Sequence, residues 1–334
     1  MTTERAQAVV VENVEKRFGT TPALRGVSFT VDRAELFGFI GPDGAGKTTL
    51  FRILTTLMIP DSGRARVLGA DVVAGLWSLR PRIGYMPGRF SLYPDLTVAE
   101  NLRFFASVFG TTIERERAQI APIYSQLEPF AARRAAALSG GMKQKLALCC
   151  ALVHRPEILL LDEPTTGVDA VSRREFWDLL GQLKTSGMTI VVSTPYMDEA
   201  NRCDRVALIQ RGRLLAIDTP EDIAQSFDRP LFAIHAGQDC SDAGRPFQGR
   251  PGAERYRALL ALRESPHTHA VYPFGETLHY ADARRDLAPE RIGAEVAAFL
   301  ASRGFADARV EPTPPTVEDS FIARMGAPDA ERAA

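Results

Sequence analysis

The chain has 334 residues and a formal net charge of −1, with 45% hydrophobic and 24% charged residues. This length is enough for two domains, and the near-neutral charge provides no global basic field, so we expect no nucleic acid partner. No apolar run approaches the ~18 residues that span a bilayer, and the charged N-terminus lacks the apolar centre of a signal peptide. These features predict a cytoplasmic protein that could still dock on a membrane partner.

Short apolar runs separated by turns open the chain and predict a small, largely antiparallel sheet that leads into a central strand. The predicted strands are residues 8–11, 27–31 and 36–40. A glycine-rich loop follows, and after it we predict a helix at residues 49–58 and a short strand at 83–86. This order of elements is typical of the start of an α/β domain.

Helical periodicity dominates residues 97–134 and returns in a helix that begins at Met142 and is closed by Pro156. The continuous apolar run at residues 158–161 predicts a strand that is buried on both faces of a parallel sheet. The elements predicted after it are a helix at 172–184, a strand at 189–194 and a hairpin at 206–210 and 214–218. The alternation of strands and helices indicates β-α-β units.

The composition changes after Asp228, and residues 239–254, rich in Gly, Asp, Pro and Arg, have the character of a linker. In the α+β unit predicted beyond it, the helices are 256–264, 290–302 and 316–325 and the strands are 270–272, 277–281 and 308–310. We therefore expect a first domain at residues 1–228, an accessory module at 229–326 and a disordered tail at 327–334.

The segment GPDGAGKT, residues 41–48, satisfies the pattern G-x-x-x-x-G-K-[S/T] between a predicted strand and a predicted helix. Its glycines let the backbone wrap closely, so that successive N–H groups and the helix N-terminus point at phosphate oxygens. Lys47 would reach the outer phosphates of a nucleotide, and Thr48 would offer its hydroxyl to Mg²⁺. The nucleotide-binding residues predicted here are Gly41, Pro42, Asp43, Gly44, Ala45, Gly46, Lys47, Thr48 and Thr49.

The segment ILLLDEP, residues 158–164, places two carboxylates at the carboxyl end of a buried strand, where an α/β sheet binds its ligands. Asp162 would hold the Mg²⁺ shell, and Glu163 would orient or deprotonate the water that attacks the γ-phosphate. Alone, this pattern is equally well explained by two solvated acids at a strand end. Beside a phosphate-binding loop, it predicts a site for hydrolysis of a nucleoside triphosphate.

The segment LSGGM opens a predicted helix and comprises Leu138, Ser139, Gly140, Gly141 and Met142. A serine and two glycines at a helix start expose a second set of N–H groups, which makes a second anion site. This site has no obvious phosphate to bind within one chain, and a serine cap followed by flexible glycines is the alternative explanation. On its own, the segment leaves both explanations open.

With these motifs in this order, the sequence resembles the ATPase subunit of an ABC (ATP-binding cassette) transporter over residues 8–227. GPDGAGKT is similar to Walker A, LSGGM to the signature and ILLLDEP to Walker B, while TTGVD resembles the D-loop and ends at Asp169. Phe18 stands where the family has the aromatic residue that stacks on adenine. The resemblance implies an α/β fold of the ABC type of P-loop NTPase. It implies an N-terminal antiparallel β subdomain and a helical signature subdomain at about residues 88–142, to which this chain adds a small C-terminal α+β module.

The resemblance also implies a head-to-tail dimer, in which each ATP lies between the Walker loops of one subunit and Ser139, Gly140 and Gly141 of the other. ATP and Mg²⁺ are the implied ligands. The nucleotide then holds two cassettes together and its hydrolysis releases them, so that the ligand biases a two-state equilibrium. The phosphate for the signature segment is thereby supplied by the partner subunit.

Two positions depart from the family pattern. Members usually have a histidine after the Ser-Thr that ends the strand at 189–194 and a glutamine after the strand at 83–86, whereas this sequence has Pro195 and Gly88. In one interpretation the site tolerates both changes, and Glu163 still hydrolyses ATP. In the other, which we favour, the site binds ATP firmly and turns it over slowly, because losing one positioned donor costs roughly 10²–10³ in rate.

The same departures favour a heterodimer, because a homodimer would carry the defect in both of its sites. Within the family, the segments IGYMPGRFSLYPDLTVAENL and STPYMDEA resemble ATPases of ABC-2 type exporters of the drug and antibiotic-resistance group. The sequence is most similar to the N-terminal cassette of tandem-cassette multidrug efflux ATPases. The implied partners are ABC-2 type permease subunits and a second ATPase cassette, at the cytoplasmic face of the cell membrane.

A non-hydrolysing ATP-binding scaffold, or a regulatory subunit paired with an active cassette, is the alternative function. Coupling to the permease is expected through residues 89–101 and the helices that follow. The C-terminal module carries no catalytic pattern, and we interpret it as regulatory or dimer-stabilising. The transported substance is not encoded in this chain, because the pore belongs to another polypeptide.

Overall fold

The structure is a computed structural model that describes residues 6–89, 91–236 and 253–326. Its contacts divide the chain into two compact units, Met1–Asp222 and Ile223–Ala334. The predicted tail at 327–334 and the predicted linker up to residue 252 lie outside the described residues. Each unit is described separately below.

The first unit contains two sheets. In chain order its strands are β1 Gln7–Phe18, β2 Thr21–Asp32, β3 Leu36–Ile40, β4 Ser62–Val67, β5 Ala70–Asp71, β6 Ile83–Met86, β7 Ile158–Asp162, β8 Thr189–Thr194, β9 Arg205–Gln210 and β10 Arg213–Asp218. An antiparallel sheet has the order β2-β1-β4-β5, and the central sheet has the order β10-β9-β3-β8-β7-β6. The central sheet is parallel from β9 to β6, and β10 pairs antiparallel with β9. The predicted α/β fold with an N-terminal antiparallel sheet is confirmed.

The central strands are buried because they are apolar on both faces. β3, β7 and β8 are buried along their whole length, as expected of strands that are covered on both sides of a parallel sheet. The ring of Phe39 on β3 lies 4.8 Å from that of Phe29 on β2 and 6.1 Å from that of Phe51 on the first helix. This packing joins the two sheets, and the parallel pairing of β8 with β3 and with β7 holds their carboxyl ends side by side.

The helices of the first unit follow the predicted alternation. They are α1 Lys47–Leu54, α2 Leu76–Leu79, α3 Val98–Val108, α4 Ile113–Tyr124, α5 Gly140–Leu152 and α6 Ala170–Thr185. The next helix, α7 Pro220–Gln225, begins in the first unit and ends in the second. A capping box of Thr97 and Glu100 starts α3, and Thr112 caps α4. The predicted helical region 97–134 is therefore divided into two capped helices and short turns. Across the described ranges, every helix is too short or too polar to cross a bilayer.

The predicted boundaries of the first helix and of the first two strands are wrong, whereas the predicted strand at 36–40 has the observed bounds. α1 ends at Leu54 rather than at residue 58. Thr56 has a φ of 62°, a left-handed conformation that ends a helix, and the apolar residues beyond it are exposed, Leu57 at 58% and Ile59 at 65%. β1 and β2 each extend over 12 residues, since their polar positions alternate with buried ones and still pair in the antiparallel ladder. The predicted strands at 83–86 and 189–194 have the observed bounds.

The second unit is an antiparallel sheet packed against helices, the α+β composition that was predicted. Its elements are β11 Leu231–His235, α8 Ala253–Arg263, β12 Thr268–Phe274, β13 Thr277–Asp282, α9 Pro289–Ser302, β14 Arg309–Pro312 and α10 Val317–Gly326. The sheet order is β12-β13-β11-β14. The central strand β11 was not among the predicted elements, although Leu231, Phe232 and Ile234 on it are buried in the core of this unit.

A buried polar cluster fixes α10 to the sheet of the second unit. Asp319 is fully buried, and its Oδ1 accepts a hydrogen bond from the Tyr272 hydroxyl at 2.6 Å and lies 2.6 Å from His279 Nδ1. Its Oδ2 accepts from the backbone N–H and the hydroxyl of Thr316 at 2.7 and 2.6 Å. Burial acts to raise the pKa of Asp319, but these hydrogen bonds outweigh it and hold the pKa below its ordinary value.

Candidate functional site

The loop of residues 41–48 joins β3 to α1 and leaves the amino end of α1 open. Gly46 is the N-cap residue, with a φ of 108°, and neither a side-chain cap nor an acidic residue occupies the first turn. The first N–H groups of α1 can therefore receive an anion. A Cβ on Gly41 would lie 2.1 Å from the carbonyl oxygen of Ile209, and one on Gly46 would lie 2.5 Å from that of Ala23, so both positions require glycine.

The other predicted residues of this loop differ in their exposure to solvent. Pro42, Asp43 and Gly44 are exposed, Thr48 and Thr49 are partly exposed, and Ala45 is buried. The Ala45 carbonyl accepts the Gly212 N–H at 2.8 Å, so the turn between β9 and β10 supports the loop from beneath. One side of the loop is thus exposed to solvent, and the turn between β9 and β10 holds the other side in place.

Lys47 and Glu163 form an ion pair inside the loop. Lys47 is only 3% exposed, and its Nζ lies 3.1 Å from Glu163 Oε1. The same amine donates to the carbonyl oxygens of Gly41 at 2.7 Å and Pro42 at 3.0 Å. The sequence analysis predicted that both charged groups act at the same phosphate, and in the structure they are in contact.

Asp162 and Glu163 leave β7 in different directions. Asp162 is buried, and its Oδ1 accepts a hydrogen bond from the Ser193 hydroxyl at 2.6 Å. The backbone N–H of Glu163 donates to Ser193 Oγ at 3.0 Å. Glu163 has a φ of 49°, a left-handed conformation that costs a non-glycine residue roughly 1–2 kcal/mol. This turn directs the Glu163 carboxylate toward Lys47 while Asp162 remains anchored to β8.

Gly88 lies against both acidic residues. A Cβ at this position would lie 3.1 Å from the carbonyl oxygen of Asp162, 3.7 Å from Asp162 Oδ2 and 3.7 Å from Glu163 Cβ. A longer side chain at residue 88 would therefore start beside the two carboxylates. Tyr85, on the strand that leads to Gly88, has its pKa raised to about 12 by burial and by the charge of Asp162. The first departure from the family pattern is located at the site itself.

Pro195 directly follows Thr194, the last residue of β8. The carbonyl oxygen of Thr194 accepts the Gly41 N–H at 3.2 Å, which places Pro195 beside the start of the phosphate loop. The next residue, Tyr196, has the guanidinium of Arg173 over its ring at 4.7 Å. The second departure therefore also lies at this end of the central sheet. The ring of the neighbouring Tyr196 is in contact with Arg173 of α6.

Phe18 ends β1 at the tip of the β1–β2 hairpin and is 51% exposed. It pairs with Thr21 at the start of β2, two residues before Ala23, whose carbonyl oxygen approaches Gly46 of the phosphate loop. The aromatic ring is therefore a surface residue on the hairpin that borders the loop. This exposure removes the core alternative that a lone aromatic would otherwise favour.

The segment LSGGM begins α5 as predicted. Ser139 is the N-cap residue, and its side chain accepts the Met142 N–H at 3.3 Å. Ser139 and Gly140 are exposed, whereas Leu138 is buried and anchors the turn. A serine cap and an exposed set of N–H groups are thus both present, so the two explanations are compatible.

Asp169 and the signature turn are neighbours in space. Asp169 caps α6 by accepting the Ser172 N–H at 2.9 Å, and this hydrogen bond lowers the pKa of the carboxyl. Gly141 lies directly against Ser172, since a Cβ there would be 2.5 Å from Ser172 Oγ. A Cβ on Gly140 would be 3.4 Å from the carbonyl oxygen of Gly167. The D-loop and the signature turn therefore form one continuous surface.

The sequence pattern missed a buried carboxylate behind the site. Glu199 is 3% exposed and accepts hydrogen bonds from the hydroxyls of Thr165 and Thr194. In the sequence it is one acid in the polar segment after Pro195, which nothing distinguishes from a solvated surface residue. Its neighbours are brought together only by the pairing of β7 with β8.

A cluster of exposed apolar side chains was also missed. Trp77 on α2 is 77% exposed and Leu57 after α1 is 58% exposed. The guanidinium of Arg80 lies 5.0 Å from the centre of the Trp77 ring and donates to Thr56, which joins the two segments into one patch. The apolar residues after residue 54 are visible in the sequence, but residues up to 58 were predicted to belong to a helix.

Residues 24–166 match the protein family described as ABC transporter. The chain is 46% identical over 224 residues to the probable multidrug ABC transporter ATP-binding protein YbhF of Escherichia coli (strain K12), and this match covers 65% of the chain and 38% of YbhF. The chain thus spans well under half the length of that relative. It is 35% identical over 322 residues to Nod factor export ATP-binding protein I of Rhizobium sp. (strain N33), a match that covers 96% of the chain and 97% of the relative.

Solved structures of cassettes resemble the first unit. The cbiO1 protein from Clostridium perfringens, part of the ABC transporter complex cbiONQ, superposes with a TM-score of 0.59 at 26% identity over 66% of this chain and 91% of that chain. The cassette MJ0796 bound to ADP and Pi superposes with a TM-score of 0.57 at 27% identity over 63% of this chain and 98% of that chain. Membership of this family supports ATP hydrolysis at the family level. Because a relative 35% identical over 96% of this chain is an ATP-binding protein of this kind, the chain belongs to the ATP-binding proteins of ABC transporters.

Proposed function

We propose that this chain binds ATP with Mg²⁺ and hydrolyses it slowly as an ATPase subunit of an ABC-2 type exporter. The observation that carries the proposal is the contact of Lys47 with Glu163 at the open amino end of α1, with Asp162 next to it. The relatives named for multidrug and Nod factor export support an exporter. The proposal names no transported substance, because the pore belongs to another polypeptide.

The nucleotide would replace an interaction that the chain makes with itself. Lys47 now neutralises Glu163 at 3.1 Å, and phosphate oxygens would compete for the same amine. Released from Lys47, the Glu163 carboxylate can orient an attacking water. The Asp162 carboxylate and the Thr48 hydroxyl are the hard oxygen ligands that Mg²⁺ prefers, so the residues fit this ion, which would neutralise phosphate charge.

The chemical step should be slow because two side-chain donors are missing at its centre. Residue 88 borders both carboxylates, but glycine offers no side-chain group to the water or the metal. Pro195 likewise has no donor at the end of β8. Each missing donor is worth roughly 10²–10³ in rate. Binding depends on backbone N–H groups and Lys47, all of which are retained.

We propose that two cassettes close head to tail over the nucleotides. Ser139 and Gly140 are exposed at the amino end of α5, where they would meet the phosphates held by a partner. A second cassette with a complete site would gain a working signature from this chain, so a heterodimer is proposed in preference to a homodimer.

We also propose a docking surface for the permease and a peripheral position at the cytoplasmic face of the membrane. Two aromatic rings are exposed in this region: Trp77, 77% exposed, precedes the helical subdomain, and Tyr93, 46% exposed, lies near its start. They are candidates for contact with the permease, together with the expected coupling segment 89–101. The division into a cassette at 1–228 and an accessory module at 229–326 is part of this proposal.

A non-hydrolysing scaffold is the second candidate, and the positions of Gly88 and Pro195 favour it specifically. The two functions are separated by single-turnover hydrolysis of Mg-ATP by the full chain. We expect the wild type to exceed Glu163→Gln, and Gly88→Gln and Pro195→His each to raise the rate at least tenfold. Gly181→Gln adds the same side chain to open space on α6 and is the matched control.

Three results would contradict parts of the proposal. A wild-type rate equal to that of Glu163→Gln would support the scaffold. A wild-type rate already equal to that of the two restored variants would show that the departures are tolerated. Homodimers of Glu163→Gln formed with ATP, measured by analytical ultracentrifugation, would remove the argument for a heterodimer.

A further inference from the structure

Glu199 is a buried carboxylate that the proposed reaction does not use. It lies in the short turn after β8 and is 3% exposed. Removing a carboxylate from water is costly unless hydrogen bonds or a cation compensate it. The cation beside it is Arg173, whose Nε lies 3.8 Å from Glu199 Oε1. Because burying this carboxylate is costly, we expect Glu199 to have a specific role.

The hydrogen bonds of Glu199 connect the two strand ends that form the site. On one side, the Thr165 hydroxyl donates to Glu199 Oε1 at 2.9 Å and Oε2 at 3.2 Å. On the other side, the Thr194 hydroxyl donates to Glu199 Oε2. Both threonines are buried, at 2% and 0% exposure. A single carboxylate therefore spans the space between the ends of β7 and β8.

Each threonine is close in the chain to a site residue. Thr165 comes two residues after Glu163, and Thr194 immediately precedes Pro195. The carbonyl oxygen of Thr194 also accepts the N–H of Gly41, the first residue of the phosphate loop. Glu199 is thus bonded, through the two hydroxyls, to the backbone segment that follows Glu163 and to the strand end that contacts the phosphate loop.

We propose that Glu199 is a positioning residue for ATP hydrolysis, acting through Thr165 and Thr194 to hold Glu163 at a fixed distance from the phosphate loop. The inference rests on the proposed function, since it requires turnover. On this inference, the hydrogen bonds of Glu199 with the two threonines affect the rate of the chemical step and not the affinity for ATP. Small misplacements of a reacting group can cost as much as ~10²-fold in rate.

The test removes the hydroxyls without changing the shape of the threonines. Thr165→Val and Thr194→Val in the full chain should each lower the single-turnover rate with Mg-ATP roughly tenfold. The KM for ATP should change less than about twofold, because Lys47 and the loop N–H groups are untouched. Thr165→Ser and Thr194→Ser keep the hydroxyl and should restore most of the rate. Glu199→Gln should fall between these extremes, since the amide keeps one acceptor oxygen and replaces the other with an NH₂ group that cannot accept.

The control is a buried threonine at the other end of the same strand. Thr189 on β8 is 3% exposed, and its hydroxyl accepts the Ala34 N–H at 3.0 Å. Thr189→Val removes a comparable hydrogen bond and should leave the rate unchanged. Valine variants at 165 and 194 that keep the wild-type rate would overturn the inference. So would serine variants as slow as the valine ones. A wild-type rate equal to that of Glu163→Gln would instead remove the proposed hydrolysis, and the inference with it.

Discussion

Replacing Gly141 with alanine tests how closely the signature helix and the D-loop helix are packed. A Cβ at Gly141 would lie 2.5 Å from Ser172 Oγ and 2.6 Å from Ser172 Cβ. Rotation of the serine hydroxyl cannot relieve this contact, because the Cβ of the serine is almost as close. Ordinary contact begins at 3.4 Å, so α5 and α6 would have to separate by about 0.9 Å. The D-loop and the signature turn would then no longer share one surface.

The expected loss of stability follows from this displacement. Adding a methyl group to a packed contact costs roughly 1–3 kcal/mol, while replacing glycine with alanine inside a helix otherwise gains up to about 1 kcal/mol. With the full gain subtracted, we therefore expect Gly141→Ala to lower the free energy of unfolding of the full chain by up to about 2 kcal/mol. In urea this corresponds to a fall of up to roughly 1 M in the midpoint.

Two variants make the interpretation specific. Gly140→Ala places its Cβ 3.4 Å from the nearest atom, the Gly167 carbonyl oxygen, and should cost little. Ser172→Gly keeps the backbone N–H that Asp169 caps and removes the obstructing side chain, so it should relieve the defect of Gly141→Ala in the double variant. The reasoning is refuted if Gly141→Ala is as stable as Gly140→Ala, or if Ser172→Gly gives no relief.

Three further outcomes follow from the site and from the second unit. Lys47→Ala should weaken Mg-ATP binding at least tenfold, measured by isothermal titration, because the amine is the cation placed at the phosphates; unchanged affinity would contradict the site. Phe18→Ala should weaken binding by about 1–3 kcal/mol if the exposed ring stacks on adenine, and Phe18→Tyr should preserve it. The folded-state pKa of Asp319 is lowered, so its stabilisation is present above the ordinary carboxyl pKa and is lost as the pH falls below about 4. Unfolding monitored from pH 3 to 6 should show this loss in the wild type, and Asp319→Asn should be less sensitive to pH over that range.

The parts of the site that could be predicted are those encoded in consecutive residues. The phosphate loop needs glycine where the backbone approaches a neighbour, and Gly41 and Gly46 are confined by carbonyl oxygens 2.1 and 2.5 Å from a hypothetical Cβ. The buried strand before Asp162 follows from its apolar run. A serine before two glycines marks a helix start, and Ser139 is the observed cap. Each of these requirements acts within a few residues.

What could not be predicted depends on contacts between distant residues. Glu199 meets Thr165 only because β7 pairs with β8, and nothing in the local sequence of Glu199 distinguishes it from a surface acid. The helix predicted to continue past Leu54 is an error of a different kind, in which exposed residues were included in a regular element. Leu57 and Ile59 continue an apolar pattern yet are 58% and 65% exposed, and exposed hydrophobic residues satisfy the same sequence pattern as residues in a core.

The two departures from the family pattern affect only one half of the site. In the proposed function, ATP binding depends mainly on backbone N–H groups, which substitutions other than proline leave in place, and on Lys47, which is buried in the loop. In the proposed function, hydrolysis depends on side chains arranged around the water, and Gly88 and Pro195 would leave two of these out while Glu163 remains in place. Such a chain would keep the affinity that drives closure of two cassettes and would slow the step that opens them. Its nucleotide would then act mainly as a long-lived link to a partner cassette, and the partner's site would set the pace of the cycle.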